Sequence, residues 1–433
     1  MIFEQLQHFR QKIYECLGTA KDSTFELMDA VLTSPSIPSF VSLSQNPIFR
    51  RQWSSIYKAL HDGQIYRGKL RKHLVKQISV DSQPILAGDS SLWLRPEAKT
   101  LRDRGFHHHS SQGIGIGHSY STLAWIPEET GSWVLPLRHE RITSFETALT
   151  KASFQLKQVS RKLQVRPLAV FDRHYGNGSF LKQTAEIPTD LLIRLASNRC
   201  VYARPGAYSG RGAPRKHGDK FKLNDPQTHP EPESIVELED PKLGLVKVSL
   251  WSQLHFRNCV RQEMDVIRVE IIKPKGQRRK FKPLWLLWTG QTRPMLSQLW
   301  RKYLQRFSLE HWYRFAKQRL FWTKPKLSAH KACECWCDLT VMMSWQLWFA
   351  RLECTDNPLP WQSKEQILSP GRVAQAFPTI IAVIGTMAPS PKTRGKSPGR
   401  QKGHFPPSRP RYPTVKKRAS RSKKSIPAPK VVT

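Results

Sequence analysis

The chain has 433 residues, and 70 Lys+Arg against 33 Asp+Glu leave a formal charge of +37. With 39% hydrophobic residues, 14 Trp and 19 Phe it can bury a sizeable core, which excludes wholesale disorder and suggests roughly two to four domains. So large a cationic excess points to a polyanionic partner, nucleic acid first, because each phosphate neutralised releases counterions.

In chain order, the start MIFEQLQHFRQK has no clean apolar run and is not expected to be a secretory signal. Residues 1–78 read as helical, with apolar positions at helical spacing over Ile2–Leu17 and Phe49–Leu74 and a Ser/Pro-rich loop over Ser34–Pro47. Over residues 1–76, 11 Lys+Arg stand against 6 Asp+Glu, which suits a small DNA-binding module and a plain packing domain equally. From Ser79 the pattern turns to short strands. Pro84–Gly88 runs to Asp89, and His118–Ile126 and Gly131–Pro136 form a hairpin across Pro127–Thr130. A helix over Phe145–Leu163 follows, with Phe154 facing inward; then come a strand from Pro167 to Asp172, a short helix near Phe180–Thr184 and a strand over Asp190–Ala196. The expected core, residues 79–199, is thus a mixed α/β sheet covered by helices. Residues 200–290 read as a β-rich insertion with strands at Leu243–Leu254, Asp265–Ile272 and Pro283–Thr289. Residues 291–387 return to helices, at Pro294–Leu320 and Ser328–Leu352. The apolar stretch Leu339–Leu352 is interrupted by Ser344 and Gln346 and is too short for a membrane span. Residues 388–433 hold 14 Lys+Arg, 9 Pro and no acid, and read as a disordered basic tail. The seven cysteines read as cytosolic thiols.

Two segments share one design, an apolar run that ends in a carboxylate: PILAG-Asp89 and PLAVF-Asp172. Open α/β sheets place ligand sites past the C-terminal ends of their strands, and two carboxylates converging there call for a divalent cation. A turn-initiating Asp after each strand is the plainer alternative. Further on, Tyr303, Arg306, Glu310 and Lys317 stand at offsets that fall within a stripe about 60° wide on one continuous helix, beside the apolar arc of Trp300, Leu304, Phe307 and Phe315. Glu310 is the only acid among eight cations in residues 301–327, so it reads either as a metal ligand or as the ion-pair partner of Arg306 or Arg314.

The spacing Tyr303-x2-Arg306-x3-Glu310-x6-Lys317 resembles the Y-R-E-K signature of bacterial insertion-sequence transposases of the cut-and-paste DDE type, and the resemblance covers about residues 80–355. It implies an RNase H-like core with Asp89, Asp172 and Glu310 as catalytic carboxylates holding two Mg²⁺ (or Mn²⁺) ions. It implies Tyr303, Arg306 and Lys317 on DNA phosphate, and Trp285 or Trp288 as a base-stacking side chain, although a tryptophan on a strand also reads as core. The implied partners are double-stranded DNA, both transposon ends and target, bound by a homodimer in the bacterial cytoplasm with no membrane. The implied reaction is strand cleavage and strand transfer at terminal inverted repeats. A nuclease without strand transfer and a non-catalytic DNA-binding derivative are the alternatives. The cations of Lys273–Lys282 belong to the same basic wall.

Other signals carry less. His107, His108 and His109 are expected on a loop, where adjacent side chains diverge. Cys333, Cys335 and Cys337 with His330 do not have zinc-finger spacing. The GIGIG run at 113–117 lacks the G-K-[ST] end of a phosphate loop and leads into a strand. Glu231–Asp240 reads as an exposed hairpin of the insertion.

Overall fold

The computed structural model describes residues 3–109, 113–208, 210–275, 282–393, 399, 401–405 and 408–416. Five helices open the chain: α1 (Glu4–Tyr14), α2 (Lys21–Thr33), α3 (Phe40–Leu43), α4 (Trp53–Asp62) and α5 (Arg67–Val75). The strands and helices of the core follow as β1 (Ile85–Leu94), β2 (Gly105–His109), β3 (Gly113–Ile126), β4 (Leu135–Ile142), α6 (Ala148–Ser160), β5 (Leu168–Phe171), α7 (Gly178–Thr184) and β6 (Asp190–Arg194). Then come β7 (Cys200–Tyr202), β8 (Lys220–Lys222), β9 (Ser234–Asp240), β10 (Gly244–Phe256), β11 (Cys259–Pro274) and β12 (Leu284–Thr289). Among the described residues four helices follow: α8 (Leu296–Leu304), α9 (Phe307–Gln318), α10 (His330–Ala350) and α11 (Pro370–Ile384).

The strands form one open mixed sheet in the order β2-β3-β1-β5-β6-β12-β11-β10-β7-β8. Its heart is β4-β3-β1-β5-β6, antiparallel between β4, β3 and β1 and parallel between β1, β5 and β6. That order, with helices alongside, is consistent with an RNase H-like core. The apolar run of β5 is buried along its whole length, as a parallel strand covered on both faces requires. Helix α6 starts where the Thr147 hydroxyl accepts from the Thr150 N–H at 3.1 Å, and α7 where the Asn177 side chain accepts from the Phe180 N–H at 3.1 Å. Segment 200–290 does not form a separate sheet: β12 pairs antiparallel with β6, and β11, β10 and β9 continue outward from it.

The opening helices pack with the closing ones. Residues Ser23–Leu32 of α2 are all buried, against α4, α10 and α11. Inside this layer the buried Arg10 donates to both carboxylate oxygens of Asp29 at 2.7 and 2.9 Å and to the Gly385 carbonyl at 3.2 Å. A buried charge is tolerated only when satisfied in this way. The Trp- and Met-rich α10 lies over β4 and, among the described residues, no helix is long and apolar enough to cross a membrane.

Several expectations are corrected. His107 and His108 are not on a loop but in β2, which pairs with the start of β3 in a long hairpin that takes in the GIGIG run. The helix expected over Pro294–Leu320 breaks at Gln305–Arg306, where the Arg306 N–H donates to Tyr303 and the Ser308 N–H to Gln305, three residues back instead of four. Phe154 is exposed, with Arg138 and Lys151 over its ring. Part of the expected disordered tail is placed: the Tyr412 N–H donates to the Lys99 carbonyl at 2.8 Å and the Val415 N–H to Arg104 at 2.7 Å, and Val415 pairs with Gly105. Most of the basic run 273–282, from 276 to 281, lies outside the described residues.

Candidate active site

The site is assembled by register. Strand β1 pairs with β3 along its length but with β5 only as far as Gly88↔Phe171. Asp89 and Asp172 each follow that last parallel pair, so they leave adjacent strands at the same level of the sheet. Gly88 is required there, since a Cβ would stand 2.0 Å from the Phe171 ring. Asp89 therefore does not end its strand, as the sequence suggested; β1 runs on to Leu94, and only its parallel pairing ends.

The third carboxylate arrives from α9. Glu310 sits in its first turn, where a helix N-terminus favours negative charge. Arg306, with a side chain 5% exposed, donates to Glu310 Oε1 at 2.6 Å and to Asp89 Oδ2 at 3.3 Å. One guanidinium thus ties the helix carboxylate to the strand carboxylate. Burial and the neighbouring charge of Asp172 push the Asp89 carboxyl up to about 6, with Arg306 opposing. Burial lowers the pKa of Arg306 most, yet Tyr303, Asp89 and Glu310 together outweigh it and raise the value well above that of a free guanidinium.

A buried polar chain fixes β1 behind the carboxylates. The Tyr313 hydroxyl donates to the Asp89 carbonyl oxygen at 3.0 Å and is hydrogen-bonded to the Thr122 hydroxyl at 2.7 Å, which meets His139 Nδ1 at 2.8 Å. Burial drives the His139 pKa down to about 3, so the ring is neutral at physiological pH. Tyr175, its ring tilted against Phe171 at 4.9 Å, feels the charges of Asp89 and Asp172, and burial raises its phenol well above the usual value. None of these four was among the residues expected at the site. Tyr313 follows Glu310 by three residues and lies on the buried face of α9 with Leu309, Trp312 and Ala316.

The residues expected to grip DNA phosphate are placed differently from one another. Tyr303 is buried, with its ring edge-on to Phe307. Arg306 faces the carboxylates. Lys317 is half-buried with its ammonium 5.8 Å from the Trp322 ring centroid, and burial lowers its pKa. Trp285 and Trp288 are buried as well; Trp285 packs against Phe221, His229 and Trp251 in the extension of the sheet. Cys333, Cys335 and Cys337 are buried thiols, and Trp322 Nε1 donates to Cys337 Sγ at 3.2 Å.

Asp89, Asp172 and Glu310 offer hard carboxylate oxygens, the donors that Mg²⁺ and Mn²⁺ take. Burial and the Asp172 charge disfavour the Asp89 anion, and Arg306 offsets them only in part. Among the described residues, however, no three His, Cys, Asp or Glu side chains are grouped closely enough to hold an ion as they stand. Arg306 occupies the space between Asp89 and Glu310. Glu310 is 48% exposed, so its side chain has room to turn. The donor chemistry fits, and closing the set requires Glu310 to move off Arg306.

The family model for "DDE superfamily endonuclease" matches residues 12–242, a span that includes Asp89 and Asp172 and stops short of Glu310. No curated protein matches the chain.

Proposed function

Because the chain belongs to the DDE superfamily endonucleases, matched over more than half its length, we propose that it cuts DNA phosphodiesters at the site of Asp89, Asp172 and Glu310. We take it to do so as a transposase that binds terminal inverted repeats and then joins the cut 3′ end to target DNA. The observation that carries this reading is the register of β1 and β5, which releases Asp89 and Asp172 side by side, together with the Arg306 link from Asp89 to Glu310.

Enzymes of this superfamily generally use divalent metal ions, and here Asp89, Asp172 and Glu310 would hold them. When bound, such ions activate water or a DNA 3′-OH and stabilise the leaving oxygen. The chain's own residues supply position. Gly88 lets β1 and β5 approach, Tyr313 fixes the Asp89 backbone, and Arg306 links the Asp89 and Glu310 carboxylates through one guanidinium. The Y-R-E-K residues act on DNA in this reading only after Arg306 and Lys317 are released from their present contacts.

The test is incubation with Mg²⁺ and duplexes carrying the short inverted repeats that flank the gene, comparing wild type with Asp89→Ala. Wild type cuts at the repeat and joins the end to target DNA, and the variant does neither. Cutting without joining establishes the nuclease instead. No cutting by wild type overturns both and leaves a DNA-binding derivative.

A further inference from the structure

A cleft of about 750 Å³ opens beside Asp172, lined by Asp172, Arg173, His174, Ser197, Asn198 and Arg199. It lies between two loops, the one after β5 and the one after β6, at the end of the sheet where Asp89 and Asp172 emerge. Both loops are held by local bonds. Asp172 Oδ1 accepts from the His174 N–H at 2.9 Å, and the Asn177 side chain donates to the His174 carbonyl at 2.9 Å. The Arg199 N–H donates to Ala196 at 2.9 Å, and the Arg199 carbonyl accepts from the Leu223 N–H at 3.0 Å.

The two arginines are uncommitted. Among the described residues neither guanidinium has an ion pair, and the inaccessible Arg199 Nε has no hydrogen-bond partner. This contrasts with Arg306, which is engaged by two carboxylates beside them. Two guanidinium groups with neighbouring Ser and Asn side chains are a donor-rich set suited to the planar, bidentate binding of a phosphate. Asp172 shares the β5-side wall with Arg173, and Arg199 lies on the β6-side wall, so the one anion of the cleft is flanked by two cations. A phosphate in the cleft is therefore met by one guanidinium from each loop, next to Asp172.

We propose that this cleft binds a backbone phosphate of the DNA strand next to the one being cut, with Arg173 and Arg199 as positioning residues. The inference rests on the cleavage reading above. It requires that the strand enter past the ends of β5 and β6 and that the cleft fix its register against Asp172.

The test is fluorescence-anisotropy titration of a 30-base-pair duplex over a KCl series, with cleavage kinetics on the same DNA. The proteins are wild type, Arg173→Gln/Arg199→Gln, and a charge-matched control outside the cleft, Arg161→Gln/Lys162→Gln. The cleft variant should bind about 10- to 100-fold more weakly, and its slope of log K against log[KCl] should be shallower by about 0.9 for the one lost phosphate. Its KM should rise while kcat stays within about threefold, and the control should follow wild type in all three. Thermal melting of each variant checks the fold. An unchanged slope, or a loss equal to the control's, overturns the cleft as a phosphate site. If wild type binds the duplex but does not cut it, the cleavage reading falls; an unchanged slope in a protein that does cut removes the cleft alone.

Discussion

Asp89 carries an electrostatic penalty for being ionised at the candidate site. Its carboxyl is pushed up to about 6 by burial and by Asp172, against an ordinary value of 3.8. The sign follows from linkage: an acid that binds its proton more tightly in the folded chain destabilises the fold as pH rises. The penalty grows between about pH 4 and pH 6 and is constant above that. In metal-free buffer, Asp89→Asn should therefore be more stable than wild type at pH 7.5, by roughly 1–3 kcal/mol, with the advantage shrinking as pH falls toward 4. Urea denaturation at four pH values measures it, and an advantage that grows on acidification would reverse the assignment. The same substitution removes a carboxylate from the site, so a gain in stability should coincide with the loss of DNA cleavage. A residue kept for packing alone would not show that opposition.

At the scale of elements, α9 is the piece whose placement matters, and Tyr313 is what anchors it. Its hydroxyl touches both the Asp89 carbonyl and Thr122, so Tyr313→Phe takes one hydrogen bond from each and leaves the Thr122 hydroxyl with His139 alone. That should cost about 1–3 kcal/mol, and cleavage should fall about tenfold or more while DNA affinity is kept, since no phosphate contact is removed. Equal affinity and equal cleavage would show that β1 holds Asp89 unaided. How far these elements could be read from the chain differs by cause. Asp172 was legible because PLAVF is a short apolar run with one exit, whereas β1 passes through Asp89 and the end of its parallel pairing depends on β5. The Gln305–Arg306 break was hidden because neither Gly nor Pro marks it; a tightened turn needs only a changed hydrogen-bond pattern. Tyr313 was hidden because it falls outside the apolar arc of one continuous helix, and only the break before α9 and the fold bring Thr122 and Asp89 to it. Trp285 shows the reverse case, a core tryptophan legible as such from its strand.

For the whole molecule, the charge of +37 separates into parts with different consequences. The tail's composition suggested one uniform disordered arm, but pairing with a strand edge uses backbone groups that composition does not reveal. Tyr412 and Val415 donate backbone bonds to Lys99 and Arg104, and the Arg102 guanidinium lies 4.6 Å from the Tyr412 ring centroid. Arg104, itself buried, donates to the Pro96 carbonyl at 2.7 Å and to the Tyr412 carbonyl at 3.4 Å. Residues 412–415 thus run beside the segment that leads into β2, and Val415 pairs with Gly105 at the start of that edge strand. Two truncations distinguish covering from charge. Removal of 417–433 deletes six Lys+Arg and should weaken duplex binding in a salt-sensitive way without shifting the melting temperature. Removal of 408–433 should weaken binding further and also cost about 2–3 kcal/mol, because the edge bonds to Lys99 and Arg104 are lost. Both should retain Mg²⁺-dependent cleavage, since Asp89, Asp172, Arg306, Glu310 and Tyr313 all lie outside the deleted residues. If the two truncations melt together, the edge of β2 needs no cover and the tail acts through its charge alone.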